Sequence, residues 1–289
     1  MPAPGTFARR RGHRPDVRGR FALDGALRLG LNIWMTFEVA GDAYDRFMGR
    51  YSRELSPRLI EFARIEPRMR VLDVGSGPGA LAERLAERVG AELVSAADPS
   101  ETFVAACAER VPGADVRQAA AEKLPWRDGT FDAVLAQLVV NFMHDPHAGV
   151  AEMRRVVRPG GIVGACTWDY ADGMQMLRVF WKTARALDPG APDEGRTMRF
   201  HRSDQLEELW GAVGFNDVET GPLVVETTYA DFADFWQPLT LGVGPAGSYC
   251  KSLEPERQEA LRDELFTNLG APGGPFRLCA RAWAVRGVG

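Results

Sequence analysis

The 289-residue chain is sparing with lysine, cysteine and histidine. Lysine occurs only at Lys123, Lys182 and Lys251, and every other basic side chain is arginine, a usage that reads as GC-rich coding and not as function. The four cysteines, Cys107, Cys166, Cys250 and Cys279, are far apart and form no C-x-x-C pair, so neither a disulfide framework nor a zinc site is indicated. No metal-ligand spacing is visible. No apolar run approaches the roughly 18 residues of a membrane-spanning helix. An apolar secretory segment is also missing, so the expected setting is the cytoplasm. A net charge of −4 and the lack of a basic, aromatic-interleaved patch argue against nucleic acid and membrane surfaces as partners.

What is present is ordinary globular material, 45% hydrophobic and 26% charged, and ample for a real core. Residues 1–34 stand apart. Arg9, Arg10, Arg11, Arg14, Arg18 and Arg20 crowd a Pro/Gly-rich stretch there. A disordered extension is expected, with a transit peptide as the alternative, and translation from Met35 is a further reading. Residues 35–289 are expected to form one domain, with a core over about 70–170 and substrate-side elements over about 42–62 and 171–270.

From Tyr44 the pattern is helical: Tyr44, Phe47, Met48, Tyr51 and Leu55 share a face, and Leu59, Ile60 and Phe62 continue it after Pro57. Strands and helices then alternate. Strands are expected at Arg70–Val74, Glu92–Ala97, around Val116, at Phe131–Val140 and at Ile162–Trp168. Helices are expected at Ala80–Val89, at Glu101–Arg110 with Ser100 as its cap, and from Pro146 to the Arg158-Pro159-Gly160-Gly161 turn. That alternation implies a parallel sheet built from βαβ units. Beyond it come helices at Asp172–Leu187, at Ser203–Val213 with Ser203 as its cap, and at Glu254–Leu269. Strands at Val218–Tyr229 and Phe276–Val285 are expected to add an antiparallel pair at the sheet edge.

The most informative stretch is Val71-Leu72-Asp73-Val74-Gly75-Ser76-Gly77-Pro78-Gly79, a buried strand feeding a glycine-rich turn and a helix N-terminus. Such a turn makes a nucleotide site. Gly75, Gly77 and Ala80 satisfy the dinucleotide pattern G-x-G-x-x-G/A, and Asp98 lies at the right distance for a ribose-binding acid. Two features weigh against a pyrophosphate. Asp73 would repel it, and Pro78 removes an N–H that it would use. A ligand bearing a cation would instead welcome Asp73; the bland alternative is that Asp73 caps a turn.

The ordered set of motifs resembles the class I S-adenosylmethionine-dependent methyltransferases, in the branch similar to the ubiquinone/menaquinone-type enzymes. The glycine loop is followed by Asp98-Pro99-Ser100, then Ala121-Glu122-Lys123-Leu124-Pro125-Trp126, then Asp128-Gly129-Thr130-Phe131-Asp132-Ala133-Val134, then Glu152-Met153-Arg154-Arg155-Val156-Val157-Arg158-Pro159-Gly160-Gly161. The resemblance covers roughly residues 70–165. It implies a Rossmann-like α/β fold: a mostly parallel seven-stranded sheet with helices on both faces and an antiparallel edge strand.

The resemblance also implies S-adenosyl-L-methionine as cofactor and a small-molecule methyl acceptor as partner, methylated on carbon, oxygen or nitrogen. By position, Asp73 with Gly75, Ser76, Gly77 and Gly79 would hold the methionine portion, and Asp98 would accept from both ribose hydroxyls. Pro99, Ser100, Ala121 and Glu122 would flank the adenine. Gln137, at the end of the fourth strand, would meet the methionine end. The segment Tyr44–Ser52 resembles a helix that lids this site, with Arg50 toward the cofactor carboxylate and Tyr44 toward the substrate. His144 is a candidate general base, and His147 a weaker one, although His144-Asp145-Pro146 also reads as a helix-capping turn. The stretches 168–170, 231–238 and 242–246 are candidates to roof a pocket. Two other functions remain open: a non-catalytic regulator that binds the same cofactor, and an NAD-dependent oxidoreductase.

Overall fold

The computed structural model describes residues 41–289. The basic extension and the Met35 start expected above lie outside the described residues. Seven strands form one sheet in the order β3-β2-β1-β4-β5-β7-β6. They are β1 (Val71–Val74), β2 (Val94–Asp98), β3 (Asp115–Gln118), β4 (Phe131–Gln137), β5 (Val157–Trp168), β6 (Asn216–Tyr229) and β7 (Phe276–Val288). The first five are mutually parallel, and β7 runs antiparallel between β5 and β6. The order reverses beside β1, with β2 on one side and β4 on the other, and open α/β sheets bind ligands at such a switch point.

The chain enters through α1 (Gly41–Tyr44), a π-helical stretch (Asp45–Gly49) and α2 (Arg50–Phe62). Helices α3 (Ala80–Val89), α4 (Glu101–Arg110) and α5 (Pro146–Val156) follow the expected pattern. Ser100 caps α4 and Asp145 caps α5 through side-chain oxygens, the latter accepting from the Ala148 N–H at 3.1 Å. After β5 come α6 (Gln175–Leu187), α7 (Glu194–Thr197) and α8 (Ser203–Val213). Between β6 and β7 lie α9 (Phe232–Leu239), α10 (Gly244–Ser252) and α11 (Pro255–Asn268).

Alternation along the central strands sorts side chains onto two cores. Val71, Ala96, Ala133 and Leu135 pack with Leu55, Leu59, Leu81 and Leu85 on the α2/α3 face. Leu72, Ala97, Val134 and Ala136 pack with Val150, Met153, Leu206 and Trp210 on the α5/α8 face. Helices therefore cover both faces, and central strands apolar on both sides are what that architecture requires. By the same parity Asp73 and Gln137 project to the α2 side, where β1 and β4 are hydrogen-bonded neighbours.

Three sequence expectations are corrected. The strand β5 begins at Val157, not Ile162: Val157 already pairs with Phe131, and the Arg158–Gly161 turn, with Gly160 at a φ of +74°, is carried as a bulge before pairing resumes at Ile162 and Ala133. Residue Arg202, not Ser203, occupies the cap of α8; it makes no side-chain capping bond, and its guanidinium instead donates to Asp204. The 231–246 segment, expected only as a roof, contains α9 and the start of α10, with Asp231 accepting from the Asp234 N–H at 2.8 Å to start α9.

Candidate active site

A cavity of about 260 Å³ opens at the switch point. Three loops supply its floor: Asp73 and Gly75–Gly77 after β1, Asp98–Ser100 after β2, and Gln137–Val139 after β4. Tyr44 and Ser52, from α1 and α2, roof it. Of the residues expected from sequence, Asp73, Gly75, Ser76, Gly77, Asp98, Pro99, Ser100 and Gln137 meet here.

The glycine loop is held tightly from within. The Gly75 and Ser76 N–H groups both donate to the Ala97 carbonyl, at 2.7 and 3.0 Å, and the Gly79 N–H donates to the Ser76 carbonyl at 3.0 Å. The Gly77 N–H donates to Asp98 Oδ2 at 2.9 Å. Pro78 has no N–H to offer. Gly75 has a backbone φ of +71°, and a Cβ there would sit 2.4 Å from Val139 Cγ2, so no other residue fits.

The two aspartates differ in what they lack. Asp98 is buried, and its oxygens accept from the Gly77 and Ser100 N–H groups, both at 2.9 Å. Each carboxylate oxygen has a second lone pair, so this side chain can still accept two hydroxyls. Burial raises its carboxyl despite those two amides. Asp73 is 1% exposed, and neither oxygen meets a hydrogen-bond partner. Burial, reinforced by the charge of Asp98, pushes its carboxyl up to about 8, with the nearby amide of Ala82 at the start of α3 working against the rise. A buried carboxylate left without a donor is costly, and a cationic ligand would repay it. Gln137 repeats the theme: its Nε2 donates to the Ser52 carbonyl at 3.1 Å, while its Oε1 is buried without a partner. These orphaned acceptors fit a cofactor that carries an ammonium and a sulfonium.

Other expected residues lie elsewhere. Arg50 does not line the cavity. Asp234 holds its guanidinium in two hydrogen bonds, at 3.1 and 2.6 Å, over the ring of Tyr229. Gly79 takes a left-handed φ of +93° as the cap of α3 and packs against Cys107. Ala121 is buried in the α5-side core. The Glu122 carboxylate accepts from the Asp145 N–H at 3.1 Å, tying two loops together. His144 and His147 are exposed and line none of this cavity. Sequence reasoning missed Ser52, Phe103, Leu138 and Phe142 as lining residues. Only Leu138 stands out in the backbone, with a left-handed φ of +64° that a branched side chain seldom adopts.

Among the described residues no helix is long and apolar enough to cross a membrane. Residues 72–165 match the family model described as "Methyltransferase domain". The chain is similar to the ubiquinone biosynthesis O-methyltransferase of Mesorhizobium japonicum, at 33% identity over 66% of this chain and 74% of that protein. It is also similar to the malonyl-[acyl-carrier protein] O-methyltransferase of Geobacter sulfurreducens, at 31% identity over 54% of this chain and 58% of that protein. A putative methyltransferase from an antibiotic biosynthesis pathway of Anabaena variabilis shares the fold, with a TM-score of 0.56 at 18% identity over 81% of this chain and 98% of that one. Sheet order, glycine loop and relatives agree: the chain belongs to the class I S-adenosylmethionine-dependent methyltransferases.

Proposed function

We propose that this methyltransferase acts on a small, flat and largely apolar acceptor, with its cofactor held at the switch-point cavity. The observation that carries the cofactor placement is the amide inventory of the glycine loop. The N–H groups of Gly75, Ser76, Gly77 and Gly79 are all engaged within the protein, and residue 78 is proline. A pyrophosphate, which needs such donors, finds none in this turn. A ligand that brings donors and positive charge finds Asp73, Asp98 and the Gln137 carbonyl oxygen waiting. That disfavours the NAD-dependent reading.

When bound, the cofactor supplies an activated methyl group on a sulfonium. The chain's part is to bind and to orient. Asp98 would take the ribose hydroxyls, Asp73 and Gln137 the amino-acid end, and Pro99, Ser100 and Phe103 the base. Tyr44 and Ser52 close the roof and exclude water. Alignment of this kind is worth about 7–11 kcal/mol of the barrier. The two O-methyltransferase relatives favour oxygen as the atom methylated. Four unpaired cysteines favour a reducing setting such as the cytoplasm.

Titration calorimetry tests the placement. S-adenosylhomocysteine is expected to bind and NAD is not. The Asp98→Ala variant should lose about 1.5–3 kcal/mol of affinity for S-adenosylhomocysteine, the worth of a charged hydrogen bond. Equal affinity in the variant rules that role out.

A further inference from the structure

A second, smaller cavity lies directly beyond the first. Tyr44, Leu138 and Phe142 line both. Phe47, Trp168 and Tyr170 give the second cavity an aromatic wall, and the one formally charged residue that lines it is Glu194. Glu194 opens the short helix α7 and is 5% exposed. Its Oε2 accepts from the Trp181 indole N–H at 2.7 Å. The neighbouring Asp193 takes Arg178, at 2.7 Å, whereas Glu194 has no ion-pair partner among the described residues. The fold thus buries a carboxylate in an apolar cavity, orients it with an indole, and gives it no cation. Such a group is expensive to bury unless it has chemistry to do.

We propose that this second cavity receives the methyl acceptor, and that Glu194 accepts the proton which an O–H or N–H acceptor gives up as it is methylated. The inference rests on the cofactor lying in the first cavity. The acceptor oxygen or nitrogen forms its bond to the methyl carbon while the carbon–sulfur bond breaks. The electron pair of that bond stays on sulfur, and the acceptor's proton passes to the Glu194 carboxylate. Positive sulfonium and negative carboxylate are both neutralised, so the low-dielectric surroundings favour the step.

The surroundings of Glu194 suit a base that works near neutral pH. Burial pushes its carboxyl up to about 7; the Trp181 N–H works against this and the adjacent Asp193 adds to it. Tyr170 also faces it and stays un-ionised, held so by burial and by the charge of Glu194, while its hydroxyl accepts from Asn141 Nδ2 at 3.2 Å. The cavity measures about 30 Å³, room for about two or three water molecules and too little for an aromatic acceptor. Acceptor entry therefore displaces a wall. Tyr44 and Phe47 belong to the same segment ahead of α2, so one movement of it admits the acceptor and exposes the methyl group together.

The test uses the full chain saturated with S-adenosylhomocysteine, with phenol and anisole as probes. Calorimetry at pH 8 is expected to show phenol binding about tenfold weaker to Glu194→Gln than to wild type, the loss of a charged hydrogen bond. Anisole, which has no proton to donate, should bind both equally. In wild type the Trp181 indole N–H resonance, assigned with Trp181→Phe, should titrate near neutral pH and move when phenol is added. That measurement needs no Glu194 variant to fold. Equal phenol affinity in the variant, a parallel loss of anisole, no phenol binding to wild type, or an indole resonance indifferent to phenol would each overturn the proposal. Failure of S-adenosylhomocysteine itself to bind wild type would instead remove the cofactor placement, and this assignment with it.

Discussion

At the scale of single residues, Asp73 is where stability and function oppose each other. Its carboxyl ionises near 3.8 in the unfolded chain and near 8 in the fold, chiefly through burial. Between those values the folded state holds a proton that the unfolded state has lost. The contribution of Asp73 to stability is therefore largest in acid and falls as pH rises through that window. The Asp73→Asn variant keeps the shape and removes the slope. At pH 8 it should be more stable than wild type by about 1–3 kcal/mol, because the amide is as poorly partnered as the carboxylate but carries no charge to bury. Thermal melts without ligand measure this, and the gap should shrink toward pH 4. The same variant should bind S-adenosylhomocysteine at least tenfold more weakly, because the ligand's ammonium loses its counter-charge. A variant that is both less stable at pH 8 and unimpaired in binding would mean Asp73 merely caps a turn. Much of this was legible in the sequence, because an aspartate ending an apolar run before alternating glycines has few structural excuses. Arg50 was not legible. Its partner Asp234 lies 184 positions away, and no local pattern says that an arginine on a lid helix will be taken by an acid from another helix.

At the scale of elements, α2 joins β6 and α9 to the end of β4 beside the first cavity. Its Tyr51 hydroxyl meets that of Tyr229 on β6 at 3.0 Å, and Arg50 is locked to Asp234 on α9. The Ser52 carbonyl accepts from Gln137 at the end of β4. The π-helical stretch ahead of α2 carries Asp45, which holds both Arg53 and Arg110. Such bulges cluster at functional sites, and here one sits beside the roof residue Tyr44. Removing the α9 contact with Asp234→Asn should cost about 1 kcal/mol or less in global stability, as a half-exposed ion pair is worth little. Its local effect should be larger. Amide hydrogen exchange over residues 44–55 should quicken, and bound S-adenosylhomocysteine should leave faster, whereas exchange in β1 and β4 stays unchanged. Uniform slowing or no change along α2 would show that the pair is incidental. Element boundaries were read well wherever a cap or breaker marks them, as at Ser100, Asp145 and Gly90. The start of β5 was misread, because Val157 pairs with Phe131 ahead of the Pro/Gly turn and the turn itself is a bulge inside the strand. The helices α9 and α10 escaped notice because Pro238 and the glycines around 242–247 disguise their helical period.

At the scale of the whole molecule, the cavity is assembled from parts that are distant in sequence. The roof comes from residues 44–52, the floor from 73–77, 98–100 and 137–139, and the wall of the second cavity from residues between Trp168 and Ala246. The sheet makes these interdependent. Strand β7 joins the parallel half to β6 through antiparallel pairing, interrupted by one irregularity between Asn216 and Glu219, and Gly160 and Gly161 bond to Gly289. Buried tryptophans report on both faces: Trp168 and Trp181 in the α2-side core and Trp210 in the α5-side core. If residues 41–289 unfold as one cooperative unit, far-ultraviolet circular dichroism and tryptophan fluorescence should melt together. S-adenosylhomocysteine, which binds only the folded chain, should then raise both transitions by the same amount. The rise should itself depend on pH. Below about 8 the folded, ligand-free chain keeps Asp73 protonated, and pairing with the ligand's ammonium must first drive that proton off. Ligand stabilisation should therefore grow from pH 6 to pH 8 and level off above, and it should lose this dependence in Asp73→Asn. Two separated melts, only one of them moved by ligand, would divide the chain into independent units. A ligand shift that fell as pH rose would reverse the sign assigned to Asp73.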